Sequence, residues 1–180
     1  MSNDISIVTS EVPAHVKKGS NLGNENVTAE HLSTPRIKQL QQLSNEIDEN
    51  HSEHIEGVKV GDFINTVTKE NYGQELYVVN THFKEEFVVW RQLEKGGGLI
   101  GTFNSNAEAL EHLENEGLKV EDYDINRTQT HTLLKVDEKT GEIADIPFLF
   151  DCSISKLKVS REWNTQLMKL GGDRFASLWK

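Results

Sequence analysis

Trp90 and Arg91 sit side by side in a central stretch where flat rings and positive charges come close together along the chain. Tyr72, Phe83 and Trp90 supply aromatic faces, and Lys84, Arg91, Lys95 and Arg127 supply cations. That mixture suits single-stranded DNA, whose unpaired bases stack on rings while its phosphates draw positive charge. A strand sends neighbouring side chains to opposite faces. Joint use of Trp90 and Arg91 therefore needs a bulge near Gly96-Gly97-Gly98 that turns Arg91 or Lys95 to the tryptophan's side. Aromatic residues also fill cores, and packing remains the competing role for each ring. Lys156, Lys158 and Arg161, near the end of the chain, form a second group that can face anions.

The remaining reactive residue types do not assemble into a catalytic pattern. Gly96-Gly97-Gly98-Leu99-Ile100-Gly101 lacks the lysine and Ser/Thr of a phosphate loop and does not match the dinucleotide fingerprint. Its glycines fit a tight turn between strands. Cys152 is the only cysteine, so this sequence holds no internal disulfide and no multi-cysteine zinc site, and the thiol is expected to be buried. His82, His112 and His131 stand far apart, and His51 and His54 lie three apart among acids without defining a metal site. Glu85, Glu86, Asp122 and Asp124 offer carboxylates with no paired motif to assign an acid or a base. No catalytic residue, cofactor or metal is assigned. The expected activity is binding, with a hydrolase left open.

Charge narrows the partners. Nineteen basic against 29 acidic residues give a net charge of −10 over 180 residues, opposite to the usual duplex-binding domain. The imbalance is uneven: residues 1–60 hold 5 basic and 9 acidic side chains, residues 61–150 hold 8 and 17, and residues 151–180 hold 6 and 3. The last segment is therefore net +3 (6 − 3) in an acidic chain. An apolar content of 36% is low for a wholly packed globule, which places part of the chain outside the core. No apolar run approaches the roughly 20 residues of a membrane helix, and none follows Met1 as a signal peptide would, so no membrane partner is expected.

These side chains need elements to hold them. Residues 1–32 are polar, with Pro13, Gly19, Gly23 and one Ile5-Ser6-Ile7-Val8 patch, and are expected to be an extended or disordered arm. Over 33–54 the spacing of Ile37, Leu40, Leu43 and Ile47, with Ser33 or Thr34 as cap and Pro35 in the first turn, predicts a docking helix and connector. Residues 55–180 read as a strand-rich body. Leu76–Trp90 is two strands meeting near Lys84-Glu85 or one long bent strand. A short helix follows Asn104-Ser105, with Glu108 in its first turn and Gly117 after its end. Thr130–Val136 and Ile143–Phe150 form a hairpin around Gly141, with Pro147 at an edge or a bulge. The last helix is capped by Asp151 or Ser153 and stopped by Gly171-Gly172. The fold class is α+β: a small twisted β-sheet or OB-like partly closed barrel, two or three helices, and an extended N-terminal arm.

PRIKQLQQLS at 35–44, GDFINTVTKENYG at 61–73, VVWRQLEKGGGLIGTF at 88–103 and KLKVSREWN at 156–164 together resemble a family of tailed-bacteriophage proteins. The resemblance covers residues 35–164 and leaves the first 30 outside. It implies a bacteriophage protein in the infected bacterial host cytoplasm, with virion incorporation open, and a link to single-stranded-DNA-binding or replication-accessory roles. It carries over no catalytic or binding residue. The leading expectation is thus a non-enzymatic phage accessory protein binding single-stranded DNA or a replication complex. The alternatives are a virion or assembly component, whose arm orders in a homo-oligomer, and an inhibitor of a host nucleic-acid-processing or defence protein acting through an acidic surface.

Overall fold

The computed structural model describes residues 23–28 and 31–180. The arm expected over 1–32 falls largely outside the described residues. Among those described, eight strands and two α-helices make an α+β fold with two antiparallel sheets.

Val78–Arg91 (β4) and Tyr123–Lys135 (β6) are rich in β-branched and aromatic residues and pair antiparallel over almost their whole length. The long run is one strand, with no break at Lys84-Glu85. Leu99–Phe103 (β5) pairs with the far half of β4, and Phe148–Ser153 (β7) pairs with β6. Leu178–Trp179 (β8) adds to β4 at Val78 and Val79, on a sheet ordered β5-β4-β6-β7. Its ends, β5 and β7, do not pair with each other, so the sheet stays open and no closed barrel forms. Ile37–Gln39 (β1), Phe63–Asn65 (β2) and Asn71–Gly73 (β3) form the second, three-stranded sheet.

The helix expected over 33–50 is not there. Ile37 and Leu40 are buried, but Leu43 is 96% exposed, so the four-residue stripe never faces one core. β1 instead pairs with β2, Leu149 N–H donates to the Pro35 carbonyl, and Lys38 holds the buried Glu46 through both carboxylate oxygens at 2.8 Å. Sheet pairing and a half-buried ion pair override a weak local preference.

Asn106–Asn115 (α1) starts where expected. Ser105 Oγ accepts from Glu108 N–H at 3.1 Å, and the Glu108 carboxylate accepts from Asn104 N–H at 2.9 Å. Leu118 N–H closes the far end on the Leu113 carbonyl after left-handed Gly117. Leu157–Leu170 (α2) stops at Gly171 but has no side-chain cap. Asp151 is instead taken by Thr130 Oγ1 and Arg36, and a single 3₁₀ turn at Ile154–Lys156 leads in. The hairpin turn forms at Asp137–Gly141, but β7 begins only at Phe148, after Pro147.

Among the described residues, the two helices and the small sheet pack on one face of the large sheet. Ala109 and Leu113 of α1 cover Val89 and Tyr123, with Ile100 and Phe103 beside them. Ile37 and Phe63 of the small sheet meet Val78, Leu133, Phe148 and Phe150, and Trp163 and Trp179 close that cluster. Gly101, paired with Val89, leaves room for the Phe103 ring: a Cβ there would lie 3.2 Å from it.

Candidate nucleic-acid interface

Period-two alternation along β4 and β6 assigns each candidate to a face. Between Asn80 and His82 the register slips by one residue, so Thr81 is extra. That bulge lets Val78 and Asn80 share the covered face with Phe83, Glu85, Phe87, Val89 and Arg91. The opposite face carries His82, Lys84, Glu86, Val88 and Trp90 from β4. Their register partners are Thr132, Thr130, Thr128, Asn126 and Asp124 of β6. None of these ten residues is buried, and no helix packs over them among the described residues. Trp90 is 43% exposed, opposite Asp124 and beside the exposed Leu99. Thr130 Oγ1 donates to Asp151 at 2.8 Å, and Arg36 pairs with the same carboxylate at the rim.

The proposed Trp90–Arg91 partnership does not form. A bulge does lie between Val89 and Trp90 in the β4–β5 ladder, but β4 keeps its register with β6 there. Arg91 remains on the other face, donating to the Tyr123 hydroxyl at 3.3 Å. Lys95 is tied to Asp122 at 2.9 Å in the turn below. Arg127 and Phe83 are also on the covered face. Arg127 bonds Glu85 at 2.8 Å, and Phe83 lies 5.2 Å from the His131 ring with the Arg174 guanidinium 5.3 Å from its centre. Partial burial raises the Glu85 pKa, but hydrogen bonds from Gln129 and Arg127, with the charges of Arg127 and Arg161, outweigh it and hold the carboxyl below its usual range. Tyr72 is in the other sheet, stacked 6.5 Å from Phe148 under Lys135. Lys84 alone joins Trp90 on the uncovered face, and it pairs with Glu86. The C-terminal cations do not converge on one contact: Lys156 lies over Phe150 at 5.6 Å, Lys158 is 3.8 Å from Glu162, and Arg161 donates to its own helix at the Leu157 carbonyl.

Sequence reasoning missed two features. One is the alternation in Thr128-Gln129-Thr130-His131-Thr132, which marks three hydroxyls for one face at period two and was visible in the residue order. The other is a hydrogen-bonded chain through His131. With the Asn80 amide oxygen facing it, His131 donates from Nδ1 to that oxygen at 2.8 Å, while Nε2 accepts from Ser160 Oγ at 2.8 Å. Asn80 Nδ2 then donates to the His82 carbonyl at 3.1 Å.

These are the distances and the tautomer of a nucleophile, base and orienting amide. Yet all three side chains have 0% exposure, and Trp163 stacks on the imidazole at 4.6 Å. Sealed from any substrate, the chain pins α2 to the sheet. Burial, then the Arg174 charge, pushes the His131 pKa down to about 4. Cys152 is likewise closed off, its thiol pushed up to about 11 by burial, which leaves no thiolate near neutrality. His51 Nδ1 accepts from Glu53 N–H and serves its own turn.

The large sheet has one face packed and one face open to solvent, as antiparallel sheets commonly do, and His131, Ser160 and Cys152 are closed off on the packed side. The chain belongs to the family described as Pam3 phage gp34-like protein, whose model matches residues 5–180. It is therefore a phage family protein, and the relationship reaches upstream of residue 35, into the segment that the resemblance had left out. No curated protein and no solved structure matches it.

Proposed function

We propose that this phage protein is a non-enzymatic accessory protein that binds single-stranded DNA across the uncovered face of its large sheet, in the infected bacterial host cytoplasm. The observation that carries the reading is Trp90, half-exposed at one end of a bare face whose middle is lined by Thr128, Thr130 and Thr132. From Trp90 to His82 the row runs roughly 26 Å at a strand rise of about 3.3 Å per residue. A base would stack on Trp90. The hydroxyls and Asn126 would take hydrogen bonds from base edges or donate them, and Lys84 and Arg36 would meet phosphates by leaving Glu86 and Asp151. Exposed ion pairs of that kind are worth about 0–1 kcal/mol, so exchanging them is inexpensive. Stacking would contribute about 1–3 kcal/mol per base.

Fluorescence anisotropy of labelled single strands across a salt series tests the reading. Saturable binding that weakens with salt is the expected result, because phosphate contacts release counterions. No saturable binding by folded protein at low salt would remove direct DNA binding.

A protein partner is the second reading, as a virion or assembly component or as an inhibitor of a host nucleic-acid-processing protein. What favours it is the net charge of −10 together with the pairing of Lys84, Lys95 and Arg127 to carboxylates. Recovery of a host DNA-binding protein from extract, competed by free DNA, would select mimicry. Repeated detection in purified particles would select the virion role.

A further inference from the structure

We infer that the groove between the small sheet, α2 and β8 is the docking site for this chain's own upstream patch, Ile5-Ser6-Ile7-Val8. The groove holds about 640 Å³, a volume typical of ligand sites. Phe63, Leu76, Phe150, Val159, Trp163 and Trp179 line it, and none of the six is buried. A second observation is polar. The Trp163 indole N–H is buried without a hydrogen-bond partner among the described residues. Buried donors are rarely left unpaired, so the groove asks for an apolar occupant that also brings an acceptor.

Charge, tether and pattern select the occupant. Glu75, Glu162 and Lys180 are the charged residues of the lining. Glu75 pairs with Lys180 at 2.8 Å and Glu162 with Lys158 at 3.8 Å, so the site suits a neutral segment. Ile5-Ser6-Ile7-Val8 is neutral and carries the only isoleucines before Ile37. The family match begins at Ile5, so the patch belongs to the shared sequence. In extended form Ile5 and Ile7 fall on one side, about 6.6 Å apart, to meet the aromatic walls. The carbonyls between them supply the acceptor for Trp163 Nε1.

The chain also enters the body at this groove. Leu149 N–H donates to the Pro35 carbonyl, and Ile37 is itself a lining residue. Fourteen residues, 9–22, separate the patch from the described Gly23. Their extended reach is roughly 46 Å, about three times the radius of gyration of a 150-residue domain. Such a tether gives a local concentration on the order of mM, which a second copy at working concentrations does not match. Docked there, the patch covers apolar surface on the packed side and leaves the bare face free.

A spin label at position 10 of the full chain, introduced by Ser10→Cys, tests the inference. Cys152 is 1% exposed and does not compete for the label. Broadening should concentrate on Leu76, Val159 and the Trp163 and Trp179 indole N–H signals, and leave Val88 and Thr128 sharp. Ile7→Asp, which changes only the patch, should lower the docked-to-free ratio about tenfold or more. Val159→Asp, at an exposed groove position, should act in the same direction. Broadening that is absent or spread evenly over the body would overturn the inference, as would groove broadening that survives both substitutions. An equal mixture of spin-labelled unenriched chain and unlabelled isotope-enriched chain should show none. Groove broadening in that mixture would assign the site to a second copy and overturn docking within one chain.

Discussion

The covered and uncovered faces of the large sheet are built from alternate residues of the same two strands, yet they differ in kind. On the covered face, Asn80, His131 and Ser160 satisfy one another at full burial, with Trp163 and Phe83 against the imidazole. On the other, His82, Lys84, Trp90 and three threonines face outward with few partners. The groups that look most catalytic are the ones no substrate can reach, and the face with no reactive constellation is the one open to a ligand. Access, not residue type, separates the two faces. Buried polar networks specify packing only while every member is paired, so the two faces should respond to mutation in opposite ways.

Breaking the covered face should cost the most. His131→Ala leaves Asn80 and Ser160 without their partner and opens a cavity under Trp163, so a loss of about 3 kcal/mol or more in chemical denaturation is expected. Acid should do nearly as much. The folded-state pKa of His131, about 4, lies below the unfolded value of about 6.5. The unfolded chain therefore takes up the proton first. Stability from this group is full above about pH 6.5 and is lost as pH falls toward about 4, by at most about 3 kcal/mol. His131→Gln should flatten that part of a stability–pH profile.

Smaller effects belong to the bare face. Trp90→Ala should melt as the parent does but bind single strands more weakly, by about 1–3 kcal/mol in a titration. A variant that loses cooperative melting would instead make Trp90 a packing residue. Lys84→Ala should move stability by less than about 1 kcal/mol and reduce the salt slope of binding by about one phosphate's worth.

Local signals were legible in the sequence where the chemistry is local. Ser105 with Glu108, Gly117 and Gly171 mark helix ends through contacts within a few residues, and the β-branched run through Val88-Val89 announces a strand. Position 33–50 misled because Ile37 and Leu40 fit a helical period while their burial comes from pairing β1 with β2. Barrel closure was equally out of reach, since it depends on whether β5 finds β7 across the sheet. Trp90 could be named but not placed: alternation set it opposite Arg91, and only the β4–β6 register shows that no bulge turns Arg91 back. The His131 chain joins residues 51 and 29 apart in sequence, with a bulge at Thr81 bringing Asn80 into line. No spacing rule reveals such a meeting.

The most direct test of the bare-face proposal is to map a bound oligothymidylate by amide and side-chain chemical-shift changes on the folded full chain. Shifts should concentrate at His82, Lys84, Trp90, Asn126, Thr128, Thr130 and Thr132, with the Trp90 indole N–H among the largest, and should leave His131 and Ser160 still. Saturable shifts confined to α2 or to the small sheet, with Trp90 unmoved, would contradict it.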